Sequence, residues 1–252
     1  MDITGKSNND GLMEEIEMTE QEWNEYVNFA SGGEWPIPRG MISDYNNWLC
    51  RSIVGRALYF RDKVEEAMTV LATVVDVEPS MEKAEKGMSE AEHKILCLRD
   101  IAKIVWGLTG NAEAALSYWD QAVDLCAKYQ YPFVSVARGE ISYGRLIMLV
   151  AAGREEQACS EAREMTQNER FEREGISSYR YFAYRFLAER EHAQGNLQKA
   201  VLLYEKAFCY YPKSAEGERD YAAAAKMTDP EERYAKYQHM SSMQYLQWEI
   251  TA

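Results

Sequence analysis

The side chains that could carry out a reaction are few in this sequence, and they are scattered. Glu189 and His192 are three positions apart and could share one face of a helix, but no third metal ligand is visible. The chain has no HExxH zinc motif, no GxSxG nucleophile motif, no Walker-type loop and no dinucleotide fingerprint. We therefore predict that the protein is not an enzyme and binds neither a metal nor a cofactor. Catalysis is the less favoured alternative.

The five cysteines are too widely spaced for a metal or redox motif, since no two of them form a CxxC pair. They stand among apolar residues, which favours small core side chains in a reducing compartment. We therefore expect a cytoplasmic location. The cysteines are Cys50, Cys97, Cys126, Cys159 and Cys209.

Aromatic and arginine side chains are concentrated in residues 179–186, which read Tyr-Arg-Tyr-Phe-Ala-Tyr-Arg-Phe. One core stripe of a helix cannot accommodate five aromatic side chains, so we expect one or two of them to face a groove or an interface. Tyr and Arg are also the residue types enriched at binding hot spots. The alternative is that all five belong to the core, with their hydroxyl groups reaching water.

Acidic residues outnumber basic residues by 41 to 28, which gives a net charge of −13. A phosphate backbone is bound by neutralising it with Lys and Arg, so we expect no nucleic-acid partner. A partner with a basic segment would be attracted, although the same acidity could serve solubility alone. The longest apolar runs are far too short to span a bilayer, so we also expect no membrane insertion.

Glycine and proline divide the sequence into segments typical of helices. Residues 19–22 and 89–92 form capping-box patterns, in which a hydroxyl and a carboxylate satisfy amides at a helix start. We expect Ser43 to cap the second helix and Asp229 to precede the last one. No stretch alternates with period two between turn residues, so we predict an all-α fold. The predicted helices span about 20–30, 44–60, 63–77, 90–108, 112–129, 133–151, 154–168, 176–194, 197–210, 215–227 and 231–249.

One short motif occurs three times, and it would let paired helices approach closely. A glycine precedes an alanine by five positions, and a third position, usually a large side chain, follows four residues later. Glycine can adopt the left-handed conformation that reverses the chain, and alanine keeps the helix crossing narrow. The copies are Gly110, Ala115, Trp119; Gly153, Ala158, Ala162; and Gly195, Ala200, Tyr204, with an earlier copy, Asp62, Ala67, Leu71, that lacks the glycine.

These copies resemble the tetratricopeptide repeat. Two of them end, as that family requires, with a proline eight residues after the bulky position, at Pro79 and Pro212. Gly55 stands where the family's first helix has a close-packing glycine, and Ala207 occupies a small position in the last copy. The motif alanines are 48, 43 and 42 residues apart, which is longer than the standard unit of 34.

The resemblance implies antiparallel helix pairs stacked in a right-handed superhelix over residues 43–228. Residues 19–42 would form an N-terminal helix and loop, and residues 1–18 a mobile acidic lead. Residues 229–252 would form a C-terminal helix, either as a cap on the last pair or as the interface of a homodimer. We keep both roles open for this helix.

The resemblance also implies where a partner would bind, because in that family the first helix of each pair lines a concave groove for a peptide or a partner helix. We therefore predict a non-catalytic scaffold or adaptor that binds another protein or a peptide. The alternative is a helical sensor that binds a peptide or small ligand and signals to a partner. The predicted groove residues are Arg56, Tyr59, Tyr143, Tyr181, Phe182, Arg185, Glu189 and His192.

Overall fold

The computed structural model describes residues 18–34, 36–129, 135–167, 177–210 and 215–251. Within these ranges the chain forms eleven α-helices, one short 3-10 helix at Arg39–Met41 and no β-strand. The prediction of an all-α fold is confirmed for this part of the chain. In order, the helices are α1 (Glu20–Ser31), α2 (Trp48–Tyr59), α3 (Val64–Ala72), α4 (Glu90–Thr109), α5 (Ala112–Lys128), α6 (Ser135–Ala151), α7 (Glu155–Gln167), α8 (Ser177–Ala193), α9 (Leu197–Cys209), α10 (Ala215–Ala224) and α11 (Pro230–Thr251).

Three helices begin where local capping chemistry predicts. Both capping boxes are present, since the Thr19 hydroxyl accepts from the Glu22 amide at α1 and the Ser89 hydroxyl accepts from the Glu92 amide at α4. Pro230 is the first residue of α11, directly after Asp229. These starts depend on residues within one turn of the helix, so sequence alone specifies them.

The prediction that Ser43 caps the second helix is wrong. The Asp44 carboxylate accepts a hydrogen bond of 3.0 Å from the Asn46 amide and holds the chain in a turn. Asn47 then accepts from the Leu49 amide at 3.0 Å, which makes it the cap and delays the helix start to Trp48. Two helices also end early, α3 at Ala72 rather than 77 and α10 at Ala224 rather than 227.

The chain divides into two compact units, Met1–Gln130 and Tyr131–Ala252. The first unit contains α1 to α5. Helix α2 packs on α3 and α4 packs on α5, and in both pairs the helices are joined by a connection of only two to four residues. The first helices of these two pairs, α2 and α4, also pack against each other, and α1 lies against α2. The continuous array of stacked helix pairs over residues 43–228 stays a prediction.

The second unit contains α6 to α11, and α8 is its centre. Helix α8 packs against α6, α7 and α9, while α11 packs on α9 and α10. Aromatic side chains dominate the core. Its buried members include Tyr181, Phe182, Tyr204, Phe208, Tyr234 and Tyr237. The C-terminal helix therefore contributes core residues to this unit, namely Tyr234, Tyr237 and Met240. The homodimer through this helix stays a prediction.

The residues of the repeated motif occupy the positions that its mechanics require. The three motif glycines all have positive φ, with values of 62°, 76° and 81° for Gly110, Gly153 and Gly195. Asp62, which replaces glycine in the first copy, adopts the same left-handed conformation with φ of 60°. Tyr204 is wholly buried and Trp119 is almost wholly buried. The small residues of the motif are also wholly buried, namely Ala67, Ala115, Ala158, Ala162, Ala200 and Ala207.

Gly55 marks a close approach of α2 to α3. A Cβ atom added at this position would lie 2.7 Å from two side-chain carbons of Leu71, closer than carbon atoms tolerate. Pro79 lies in the connection between α3 and α4, outside any helix. Pro212, the other predicted terminal proline, lies outside the described residues.

The prediction that the cysteines are core side chains is wrong in part. Cys209 is exposed, at the end of α9, whereas the other four cysteines are buried. None of the helices that the structure describes has both the length and the apolar character that crossing a bilayer requires.

Candidate functional site

Arg56 of the first unit is held by a carboxylate on the neighbouring pair. Its Nε donates to Oδ2 of Asp100 at 2.9 Å, which joins α2 to α4. The other oxygen of Asp100 accepts from Nε and Nη2 of Arg99, both at 2.8 Å. Asp100 is wholly buried, so these bonds replace the water that it loses on folding. We call Arg56, Arg99 and Asp100 the α2–α4 cluster.

The register between α2 and α4 is fixed one turn before this cluster. Cys97 donates through Sγ to Oγ of Ser52 at 3.1 Å, and both side chains are wholly buried. Burial raises the pKa of Cys97 to about 11, so the thiol keeps its proton and remains a donor at neutral pH. The contact places Arg56 and Asp100 opposite each other in the next turn.

The outer end of Arg56 remains available. Among the described residues, no acceptor lies within hydrogen-bonding distance of either Nη, and the side chain is 17% exposed. The guanidinium lies 5.6 Å from the centre of the Phe60 ring, which is 55% exposed. Tyr59, another predicted groove residue, is half-buried and its ring contacts that of Phe60. The result is a fixed guanidinium that presents two donors beside an exposed aromatic ring.

The second unit contains a related cluster in which tyrosine hydroxyls share the carboxylate with the arginine. Arg185 donates through Nε to Oε1 of Glu189 at 3.0 Å, and both side chains stand on α8. The hydroxyl of Tyr143 on α6 donates to Oε2 of Glu189 at 2.6 Å, and that of Tyr204 on α9 to Oε1 at 3.4 Å. The Arg185 guanidinium also lies 4.9 Å from the centre of the Tyr143 ring. We call these four residues the α6–α8 cluster.

The hydroxyl groups of the two tyrosines in the α6–α8 cluster keep their protons and therefore remain hydrogen-bond donors. Burial, followed by the negative charge of Glu189, raises the pKa of both Tyr143 and Tyr204 well above the ordinary tyrosine value. Arg185 and Glu189 are only 15% and 16% exposed. Glu189 therefore neutralises Arg185 and, through the two tyrosine hydroxyls, fastens α6, α8 and α9 to one another.

The aromatic segment 179–186 is mostly core. Tyr179, Tyr181, Phe182 and Phe186 are all buried, and only Tyr184 is half-buried, stacked on Tyr210 at 5.8 Å. A hydrogen bond of 2.7 Å links the hydroxyls of Tyr181 and Ser241, so this tyrosine fastens α11 to α8. The predicted groove residues Tyr181 and Phe182 are therefore buried in the core of the second unit.

His192 lies at the exposed end of α8. Its ring stacks on that of Tyr234 from α11, with centroids 3.9 Å apart and planes 6° apart. The structure therefore brings Tyr143, Arg185 and Glu189 together and places His192 one turn further along α8. Within the described ranges, no group of three His, Cys, Asp or Glu side chains is arranged to hold a metal ion.

The family's pattern places Asp100 on the groove side of α4, but it does not indicate that Asp100 pairs with Arg56. A signal for a buried pair was present, because Arg99 and Asp100 are adjacent charged residues between the apolar residues Leu98 and Ile101. A charge there must be paired or leave the core.

Comparison of the chain with protein-family models, curated proteins and solved structures gives no match.

Proposed function

We propose that this protein is a non-catalytic scaffold that binds another protein or a peptide through the first helices of its tetratricopeptide-like pairs. In the first unit these helices are α2 and α4, and in the second they are α6 and α8. Such pairs would stack into a right-handed superhelix whose inner surface takes the partner. The observation that carries the proposal is Arg56, fixed by a buried carboxylate while both Nη groups stay without an acceptor among the described residues.

Arg56 has the geometry of an anchor for a partner. Because Asp100 holds its Nε, the guanidinium loses little conformational freedom when a ligand binds. Its outer edge presents two parallel N–H donors, which match the two oxygens of a carboxylate. Phe60 and Tyr59 add an aromatic surface on which an apolar part of the partner could pack.

The acidic surface and this arginine would have separate roles in binding. A net charge of −13 would steer a partner with a basic segment toward the protein and make the association rate fall with added salt. Arg56 would then fix the position of one acidic group of that partner. A cytoplasmic location is part of this proposal.

A peptide-display selection on the full chain, followed by hydrogen exchange of the complexes, tests the proposal. We expect enriched peptides to slow exchange in α2 and α4 or in α6 and α8, because those helices carry the proposed surface. Failure to enrich any peptide would contradict the proposal. So would protection confined to the second helices of the pairs, α3, α5, α7 and α9.

A further inference from the structure

Helices α2 and α4 run in the same direction, so their C-terminal ends lie on the same side of the first unit. The thiol of Cys97 on α4 reaches Ser52 on α2. One turn further along both helices, Asp100 accepts a hydrogen bond from Arg56. The same register places Phe60, which follows the last residue of α2, beside the last turns of α4.

Apolar side chains are exposed at these two helix ends. Five large apolar side chains are exposed among the described residues, and three of them stand here, namely Phe60, Trp106 and Leu108. A Cβ atom added at Gly107 would meet no other atom within 4 Å, so the backbone of α4 is open to an approaching chain at this point. Exposed apolar groups gathered beside an arginine are typical of surfaces that bind another protein.

The guanidinium of Arg56 adds a positive charge to this apolar surface. It lies 5.6 Å from the centre of the Phe60 ring. Asp100 engages its Nε, whereas neither Nη has an acceptor among the described residues. An acidic side chain would complement these donors, and a large apolar side chain would cover the exposed part of Phe60. A partner that fits must therefore bring an acidic group and an apolar group close together.

The composition of α2 and α4 favours a helical partner over an extended one. Neither helix contains Asn or Gln, whose side-chain amides can bond both the N–H and the C=O of an extended peptide. A helix satisfies its own backbone groups and presents only side chains. Side chains one helical turn apart have Cβ atoms about 5–6 Å from each other, which matches the spacing of Arg56 and Phe60.

We propose that the partner is an amphipathic helix with an acidic side chain and a large apolar side chain one turn apart. The acidic group would bind the outer donors of Arg56, and the apolar group would pack on Phe60. The proposal rests on the function proposed above, because it uses the same surface, and it adds the chemistry of the partner.

Selection from a display library of helical peptides tests the proposal. The probes are alanine-rich peptides of about 20 residues, long enough to form a helix, with randomised positions along one face. On the unaltered full chain we expect enrichment of Asp or Glu together with Leu, Phe or Trp three or four positions away. On Arg56→Gln only the apolar residue should be enriched, and on Phe60→Ala only the acid. Leu202→Ala removes an apolar side chain that is 58% exposed on the other unit, and it should select the same pair as the unaltered chain.

The affinity of one selected peptide gives a second measurement. Phe60→Ala should bind it about tenfold or more weakly, since the ring would be buried in the complex. Phe60 is exposed in the free protein, so this variant should fold, as thermal denaturation would check. Unchanged affinity in Phe60→Ala would overturn the proposed helix motif.

A library of glycine-rich peptides, which do not form helices, separates this proposal from the function on which it rests. Enrichment from this library in place of the helical one would show that the partner is extended, and would overturn the helix while leaving a binding scaffold. Helical peptides that lack the acidic and apolar pair would have the same meaning. Enrichment from neither library would overturn both.

Discussion

The α2–α4 cluster and the α6–α8 cluster use the same pair of chemical groups for different ends. Each contains an arginine held through Nε by a carboxylate, at 2.9 Å in the first unit and 3.0 Å in the second. In the first, the carboxylate is wholly buried and Arg56 keeps two donors toward the surface. In the second, two tyrosine hydroxyls share the carboxylate and the Tyr143 ring lies against the guanidinium.

The comparison shows that the partners of an arginine, more than its presence on a helix, decide what surrounds its guanidinium group. Aromatic hydroxyls complete the second cluster, which then acts as a fastener between helices. The first cluster has no such hydroxyl, and its guanidinium lies beside the exposed ring of Phe60.

Removing the buried carboxylate of the first cluster should have the largest effect. Asp100→Ala leaves two arginines without their shared acceptor in a site that excludes water, and breaking a buried ion pair costs about 3–5 kcal/mol. Urea denaturation monitored by circular dichroism measures the loss in the free energy of unfolding. Asp100→Asn, which keeps one acceptor oxygen, should lose less. A loss below about 1 kcal/mol in Asp100→Ala would show that Asp100 does not hold the arginines.

The second cluster should lose less when its carboxylate is removed. Glu189→Ala removes the acceptor of Arg185, Tyr143 and Tyr204, but Arg185 keeps its contact with the Tyr143 ring, and both of these side chains keep some access to water. We expect a loss of about 2–3 kcal/mol in the free energy of unfolding. Glu164→Ala, an exposed acid on α7, is the matched control and should change stability little. If Glu189→Ala cost more than Asp100→Ala, the contrast between the clusters would be reversed.

The position of Arg56 depends on the close approach at the preceding residue. Gly55→Ala places a methyl group 2.7 Å from Leu71 and should push α2 away from α3. Overpacking of this kind costs about 1–3 kcal/mol. Gly107→Ala, in open space near the end of α4, should instead stabilise the protein by about 0.5–1 kcal/mol. Thermal denaturation of both variants measures the difference, and equal effects would refute the close approach.

Alkaline pH should affect the second cluster. Burial and then the Glu189 charge raise the pKa of Tyr143 above its ordinary value of 10.0. The unfolded chain therefore releases this proton near pH 10 while the folded chain retains it, so stability falls as pH rises above that point. Tyr143→Phe should reduce the slope of unfolding free energy against pH in this range. An unchanged slope would mean that the folded chain does not retain the Tyr143 proton in this range.

Acidic pH should affect the first unit to a smaller extent. Burial and then the Arg56 charge lower the pKa of His93 from its ordinary value of 6.5. The unfolded chain takes up a proton near pH 6.5 that the folded chain does not, so stability falls as pH drops below that value. His93→Gln should flatten this dependence, as urea denaturation between about pH 5 and 7 would show. A dependence as steep as in the unaltered chain would contradict the assignment to His93.

Sequence reasoning succeeded where structure depends on residues close together in the chain. The capping boxes at Thr19 and Ser89, the positive-φ glycines and the buried motif alanines follow from spacing within one or two turns. Even the error at Ser43 has a local cause, because the turn held by Asp44 delays the helix start to the cap at Asn47. Helix positions were therefore predictable almost throughout the described ranges.

The site itself was less predictable because its contacts join distant parts of the chain. Arg56 and Asp100 are 44 residues apart, and Tyr143 and Glu189 are 46 apart. The register between two packed helices decides which of two neighbouring residues faces inward. The sequence pattern does not determine this register to better than one helical turn. Tyr181 and Phe182 show the consequence, since both were predicted to line a groove and both are buried.

The affinity of a peptide selected on the unaltered chain, measured for Arg56→Gln, tests the central claim most directly. The substituted amide can still donate to Asp100 but has lost the charged pair of Nη donors, so we expect binding to weaken about tenfold or more. Lys86→Gln, which removes a charge elsewhere on the same unit, should bind as the unaltered chain does. Equal affinity of Arg56→Gln and the unaltered chain would contradict the claim that Arg56 anchors the partner.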